Sequence, residues 1–194
     1  MQRIDFLDYI QRELQISLAE IESMQQIIQY KPRVIAKNDF FLSVGQVCTS
    51  VAFIESGAFL YFRENDNADK HVCDVLFEGT WGTYLQSFIT KTPSDMAIQA
   101  LEETHIIEIH QDNLNRLFEQ FPKAERLSRK LTEESFIQIA QRMAGLQFLT
   151  SEERYTKLMK EDPRLIERVP QYYLASLLGI APQSLSRIRK ELSK

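Results

Sequence analysis

Six polar side chains near the C-terminus have the residue types needed to read double-stranded DNA: Gln183, Ser184, Ser186, Arg187, Arg189 and Lys190. An arginine fork matches guanine O6 and N7, and a glutamine amide matches the adenine edge. A serine hydroxyl can meet a phosphate oxygen, which sets register without carrying sequence information. Such a row works only if a framework holds it away from the core.

The residues around it supply that framework. Leu174, Leu177 and Leu178 are the apolar positions of a first helix, and Ala175 is the small residue for close helix approach. Gly179 tolerates the positive φ a tight turn demands, and Ile180 fills the corner. Pro182 suits the first turn of a second helix, where its missing N–H costs nothing. Leu185 and Ile188 then face inward, leaving the six polar residues outside. The segment Gln171–Lys190 therefore reads as a helix-turn-helix.

Charge is distributed to match. Residues 1–150 hold 14 Lys and Arg against 21 Asp and Glu, whereas residues 151–194 hold 9 against 6. An acidic body with a basic tail is expected if the tail alone meets phosphates.

Composition bounds the rest. At 194 residues and 44% hydrophobic, the chain can bury a core. It has no apolar run long enough for a membrane span and no secretory N-terminus, so the expected location is the cytoplasm. Cys48 and Cys73 form no CxxC pair and are read as ordinary buried thiols. No nucleophile elbow, phosphate loop, HExxH or triad is present, so no catalytic residue, metal ligand or cofactor is assigned. Glu55 and Asp74 read as surface or turn carboxylates.

Residues 4–29 read as two helices, with Ser17 and Glu20 as a capping box for the second. From Tyr30 to Ile109 short β-rich runs alternate with turn residues: Arg33–Ala36, Val51–Ile54, Phe59–Arg63, Val72–Phe77, Met96–Ala100 and His105–Ile109. One break is expected at Glu64–Asp69. This texture fits a jelly-roll-like β-barrel. Helical periodicity takes over near Asn113 and runs almost unbroken from Pro122 to Leu149. A helix of about 27 residues would be roughly 40 Å long. Its apolar stripe of Leu127, Leu131, Ile139, Met143 and Leu146, widened by Phe136, Ala140 and Phe148, exceeds what one partner covers. A homodimer is expected along it. Thr150 or Ser151 then caps a further helix that ends before Pro163, and Asp162–Val169 is too short for much of a hairpin.

The fold class is thus α+β: a jelly-roll-like barrel with flanking helices, a long dimerisation helix and a helix-turn-helix domain. Residues 1–149 would form the effector domain, including the long helix at about 122–149. Residues 150–194 would form the DNA-binding domain.

Three stretches make the chain resemble the Crp/Fnr family of transcription regulators. Val51–Phe62 looks like its strand–Gly–strand run, Glu78–Gly82 like the lead into its phosphate-binding cassette, and Leu174–Lys190 like its DNA reader. The resemblance implies a cyclic-nucleotide-binding-type β-roll over the effector domain. It places Gln183 and Arg187 where the family reads bases, and Ser184 and Lys190 where it meets phosphate or groove-edge atoms. It implies an effector pocket around Trp81, Gly82, Tyr84, Lys91 and Ser94, but the cassette departs from the nucleotide-binding pattern. Tyr84 stands where a ribose-binding Glu is expected and Ser94 where a phosphate-binding Arg is expected. A desolvated phosphate needs a charge-assisted donor fork. Asp95 would repel it, and Lys91 offers only a point charge. A response to cAMP is therefore not expected. Two cysteines are too few for an oxygen-sensing cluster. His71, His105 and His110 are read as surface or core residues and not as haem ligands.

Two functional classes remain. The first is a homodimeric regulator binding a pseudo-palindromic DNA site, with an unidentified small-molecule effector or none. The second is an effector-sensing or protein-interaction module whose DNA reader is weak or vestigial.

Overall fold

The structure is a computed structural model that describes residues 3–65, 67 and 69–192. The chain divides into two compact units. One comprises Met1–Tyr61 and Leu76–Glu133, the other Phe62–Val75 and Glu134–Lys194.

In the first unit, Asp5 accepts backbone N–H groups of Leu7 and Asp8, starting α1 (Phe6–Leu14). The Ser17/Glu20 capping box forms as the sequence predicts and starts α2 (Leu18–Ile27). The strands are β1 (Tyr30–Ile35), β2 (Phe40–Leu42), β3 (Ser50–Ser56), β4 (Ala58–Glu64), β5 (Lys70–Phe77), β6 (Trp81–Gly82), β7 (Ala97–Ala100) and β8 (Thr104–His110). Between β6 and β7 lies α3 (Leu85–Thr90). Two four-stranded sheets result, ordered β1-β8-β3-β6 and β2-β7-β4-β5. All six expected strands are present. Asp66 and Ala68, within the expected break at Glu64–Asp69, lie outside the described residues.

Strand alternation sorts side chains to two faces. Ile35, Ala52, Ile54, Phe59, Tyr61, Ile98, Ala100 and Ile106 point between the sheets and form one core. Phe53, Ile107 and Ile109 point the other way, onto α1, α2, α4 (Gln111–Gln120) and the start of α5 (Pro122–Phe148). The turn joining β3 to β4 requires glycine. At Gly57 φ is +100°, and an added Cβ would lie 2.6 Å from Thr104 Cα.

Two expectations about single residues are corrected. Glu55 is 4% exposed: β3 carries it inward, where it pairs with Arg3, and its backbone C=O accepts the Ile4 N–H. The N-terminal segment thus covers a carboxylate that the sequence presents as a turn residue. Cys73 is exposed because it falls on the outward side of β5, while Cys48 is buried as expected.

The helix α5 spans 27 residues, as predicted. Its stripe is not uniform. Leu127 is buried in the first unit, whereas in the second unit Phe136, Ile139, Met143, Leu146 and Phe148 are all at least half exposed. Beyond it come α6 (Ser151–Glu161), α7 (Pro163–Arg168), α8 (Gln171–Leu178) and α9 (Pro182–Leu192). Asp162–Val169 is neither loop nor hairpin: Asp162 accepts the Arg164 N–H and Pro163 opens a helical turn and a half.

Candidate nucleic-acid interface

The last two helices form the helix-turn-helix the sequence predicts. Leu174, Ala175 and Leu185 are fully buried, and Leu177, Leu178 and Ile188 nearly so. Tyr155 of α6 and Leu165 and Val169 of the α7 region are also buried. The turn is a Schellman closure: Ile180 N–H donates to Ala175 C=O at 3.0 Å and Gly179 N–H to Ser176 C=O at 2.9 Å. Gly179 holds φ at +68°, and an added Cβ would press on Leu146 at 3.3 Å.

The side chains left over are the ones expected to read DNA. Gln183, Ser186, Arg187 and Lys190 are exposed on α9, and Ser184 and Arg189 are half-buried beside them. Gln183 and Arg187 stand one helical turn apart, so they share a face. The structure therefore brings all six candidate residues onto one short helix, with no acidic residue between Pro182 and Lys190.

One residue that supports this arrangement was not foreseen. Arg154 on α6 donates Nε to Leu178 C=O at 3.1 Å and Nη1 to Leu149 C=O at 2.7 Å. It thereby satisfies carbonyls at the C-terminal ends of two helices, where a cation is also favoured electrostatically. No spacing rule links Arg154 to Leu178 across 24 residues, so the sequence carries no signal for it.

The start of α6 is set by Thr150, whose Oγ1 accepts the Glu153 N–H at 3.2 Å. Glu153 accepts in return from the Thr150 N–H at 2.8 Å and from its hydroxyl at 2.9 Å. The bond from the Thr150 backbone, then that from its hydroxyl, favours the carboxylate and lowers the Glu153 pKa. A depressed folded-state pKa contributes stability above the unfolded-state value. That contribution disappears as pH falls through the folded-state value. Thermal melts of the parent and Glu153→Gln should show the parent ahead at pH 7. The lead should shrink as the solution is acidified below about pH 4, the ordinary glutamate range. A constant gap would show that Glu153 does not titrate with folding.

The residues assigned to an effector pocket are distributed differently. Trp81 and Gly82 occupy successive positions of β6 and so face opposite ways. Trp81 joins Phe6, Tyr9 and Phe53, with ring centroids 5.3–6.4 Å away, in the cluster under α1. Gly82 faces Tyr61 and Phe59, where an added Cβ would lie 2.9 Å from the Tyr61 hydroxyl. Tyr84 packs at the edge of the inter-sheet core, and its hydroxyl donates to Asp95 Oδ1 at 2.6 Å. Ser94 is buried and bonded within its own loop, its Oγ donating to Met96 C=O and accepting Met96 N–H. Lys91 closes α3 in the left-handed region, with Nζ 5.0 Å from the Phe88 ring centroid. Gly82, Tyr84, Lys91 and Ser94 thus belong to the α3 side of the roll, and Trp81 to the packing of its outer face.

Residues 32–121 match the cyclic nucleotide-binding domain family. Over 186 residues, 90% of this chain and 75% of the relative, the sequence is 26% identical to the transcriptional activator protein anr of Pseudomonas aeruginosa. In fold it is similar to FixK2 from Bradyrhizobium japonicum, with a TM-score of 0.73, 15% identity and 84% of each chain covered. It is also similar to a putative transcriptional regulator of the Crp/Fnr family from Eubacterium rectale, with a TM-score of 0.69, 13% identity, and 96% of this chain and 88% of that one covered. A β-roll whose residues 32–121 match the cyclic nucleotide-binding domain, a long helix and a terminal helix-turn-helix, in this order, make the chain similar to transcription regulators of the Crp/Fnr type.

Proposed function

We propose that the chain acts as a homodimer that reads a pseudo-palindromic DNA site with α9, without a catalytic step and in the cytoplasm. The observation that carries this reading is the exposed Gln183/Arg187 face of α9, set on a closed apolar helix-turn-helix core. In this reading Gln183 and Arg187 discriminate bases. Ser184, Ser186, Arg189 and Lys190 fix the helix against the backbone and groove edge. The two reading helices of a dimer would lie about one DNA turn apart. The exposed apolar side chains on the second half of α5 supply the surface for the second copy. No helix among the described residues is long and apolar enough to cross a membrane.

The test is a fluorescence-anisotropy titration of a random-site duplex pool at about 100 mM salt, followed by sequencing of the retained fraction. Enrichment of a two-fold symmetric sequence is the expected result. Retention without any enrichment would favour a charge-only contact, and no retention would favour the effector or protein-interaction module.

The same reading holds that cAMP is not the effector. Tyr84 and Asp95 are bonded to each other, and the two carboxylate oxygens of Asp95 oppose a phosphate. No arginine lies between Tyr84 and Met96 to form the fork a buried phosphate needs. Titration calorimetry with cAMP should give no binding heat, and DNA affinity should be the same with and without the nucleotide. Saturable heat together with several-fold tighter DNA binding would overturn this and make Lys91 the residue to replace. A different small molecule remains open to the α3 side of the roll.

A further inference from the structure

At one end of the β-roll, two positions on the inward faces of the strands carry polar side chains. On β3, Ala52 and Ile54 point between the sheets, so Ser50, two residues earlier, lies on the same face. On β8, Ile106 points there too, and Glu108 follows it at the same spacing. Both residues line a cavity of about 390 Å³ whose apolar wall is Phe41, Leu42 and Val47. That volume suits a small molecule. The five residues expected around an effector do not line it.

Ser50 is 7% exposed, and its hydroxyl has no hydrogen-bond partner among the described residues. Its carbonyl is already occupied, by the Thr83 hydroxyl at 3.2 Å and the Cys48 thiol at 3.4 Å. A hydroxyl held at that depth without a partner is costly unless the cavity supplies one. Glu108 is also only partly satisfied. Arg33 Nη1 donates to its Oε2 at 3.3 Å, whereas its Oε1 has no partner among the described residues. In the β3–β8 register Ala52 stands opposite Glu108 and His110 opposite Ser50, so Ser50 and Glu108 are diagonal neighbours. Diagonal positions on one face are roughly 7–8 Å apart. A single flat group set between them can reach both. The wall is built in advance, because the loop carrying Val47 is tied to the α3 segment. Cys48 N–H donates to Ser87 Oγ at 2.9 Å, and Gly45 N–H donates to Ser94 C=O and Ser94 N–H to Gln46 C=O at 2.7 Å each. Charge narrows the ligand. Arg33 pairs with Glu108, and Lys31 stands opposite Glu108 on β1. A cation would meet those two side chains and an anion would meet the carboxylate, whereas an uncharged donor–acceptor group meets neither objection.

We propose that this cavity binds a small uncharged carboxamide with an apolar body. Its N–H donates to Glu108 Oε1, its C=O accepts from Ser50 Oγ, and its body lies on Phe41, Leu42 and Val47. The site does not rest on the reading of α9 as the DNA face.

The test uses the full chain with benzamide as the probe, beside benzylamine and benzoate, which carry a positive or a negative end on the same ring. Amide NMR spectra should show benzamide saturating near about millimolar concentration, as expected of so small a molecule. Shifts should be confined to residues 41–50 and 106–110. Ser50→Ala should lower benzamide affinity about fivefold, the loss of one hydrogen bond, at an unchanged melting temperature, because the hydroxyl holds nothing within the chain. Glu108→Ala should lower it at least as much, since a bond to a charged acceptor is the stronger. No binding, or shifts centred on residues 84–91, would overturn the site. Benzylamine or benzoate binding as tightly as benzamide would overturn the ligand class. Parent-like benzamide affinity in both variants would overturn the roles of Ser50 and Glu108.

Discussion

Met143→Glu is expected to yield a folded monomer whose DNA affinity is lower by roughly a hundredfold to ten-thousandfold, the range over which a second linked site adds avidity. Met143 is 59% exposed, so a carboxylate there meets water and the fold of the single chain is undisturbed. In a dimer the same carboxylate would be taken from water into an apolar seam alongside Ile139 and Leu146, and opposite its own copy. Each such apolar side chain contributes about 1.5–3 kcal/mol when fully covered. An unpaired buried charge opposes that directly. Sedimentation velocity would report the mass, circular dichroism the unchanged fold, and anisotropy the affinity. A dimer with parent-like affinity would show that this face of α5 is not where two copies meet. Phe136 and Phe148, at 72% and 80% exposure, lie on the same half of the helix and provide independent positions for the same substitution.

Arg187→Ala is expected to abolish preference at one base position of each half-site, with a loss of about 1–3 kcal/mol per head against the preferred sequence. Arg187 is exposed on α9, and the inward positions around it, Leu185 and Ile188, are unaffected by its removal. Melting temperature should therefore stay with the parent while the enriched motif loses information at that position. Lys190→Ala serves as the contrast. A phosphate contact carries no sequence information, so binding should weaken uniformly across sequences and the salt slope should fall by about one per head. A retained motif in Arg187→Ala would remove that residue from the base-reading set and leave Gln183 to carry it.

The helix-turn-helix is legible in the sequence because each of its constraints is local. A small residue at the helix crossing, a glycine at the turn, a proline in the first turn and leucines at inward positions are demands on residue type at fixed offsets. Ala175, Gly179, Pro182, Leu174 and Leu185 meet them in register. The same holds for the capping boxes at Ser17 and Thr150 and for the uninterrupted period of α5, which depend on neighbours three or four residues away. The longer strands show themselves by β-rich runs between turn residues.

What the sequence leaves open is whatever depends on distant pairing. The strands β2 and β6 span three and two residues, too few to show a period, and exist because β7 and β3 lie beside them. The helix α3 is six residues long and is held by its packing on the roll through Phe88. Glu55 becomes a buried ion-pair partner only when Arg3 is brought across 52 residues. Trp81 and Tyr84 look like one aromatic group in the sequence, yet the pleat of β6 sends Trp81 to the outer cluster while Tyr84 lies at the inner one. The link from Val72 to Ser176 spans 104 residues and joins an edge strand to a helix. Local chemistry therefore determined what the helix-turn-helix is made of. Tertiary structure alone decided what it packs against, because an edge-strand N–H such as that of Val72 acquires a partner only when the chain folds back to supply one.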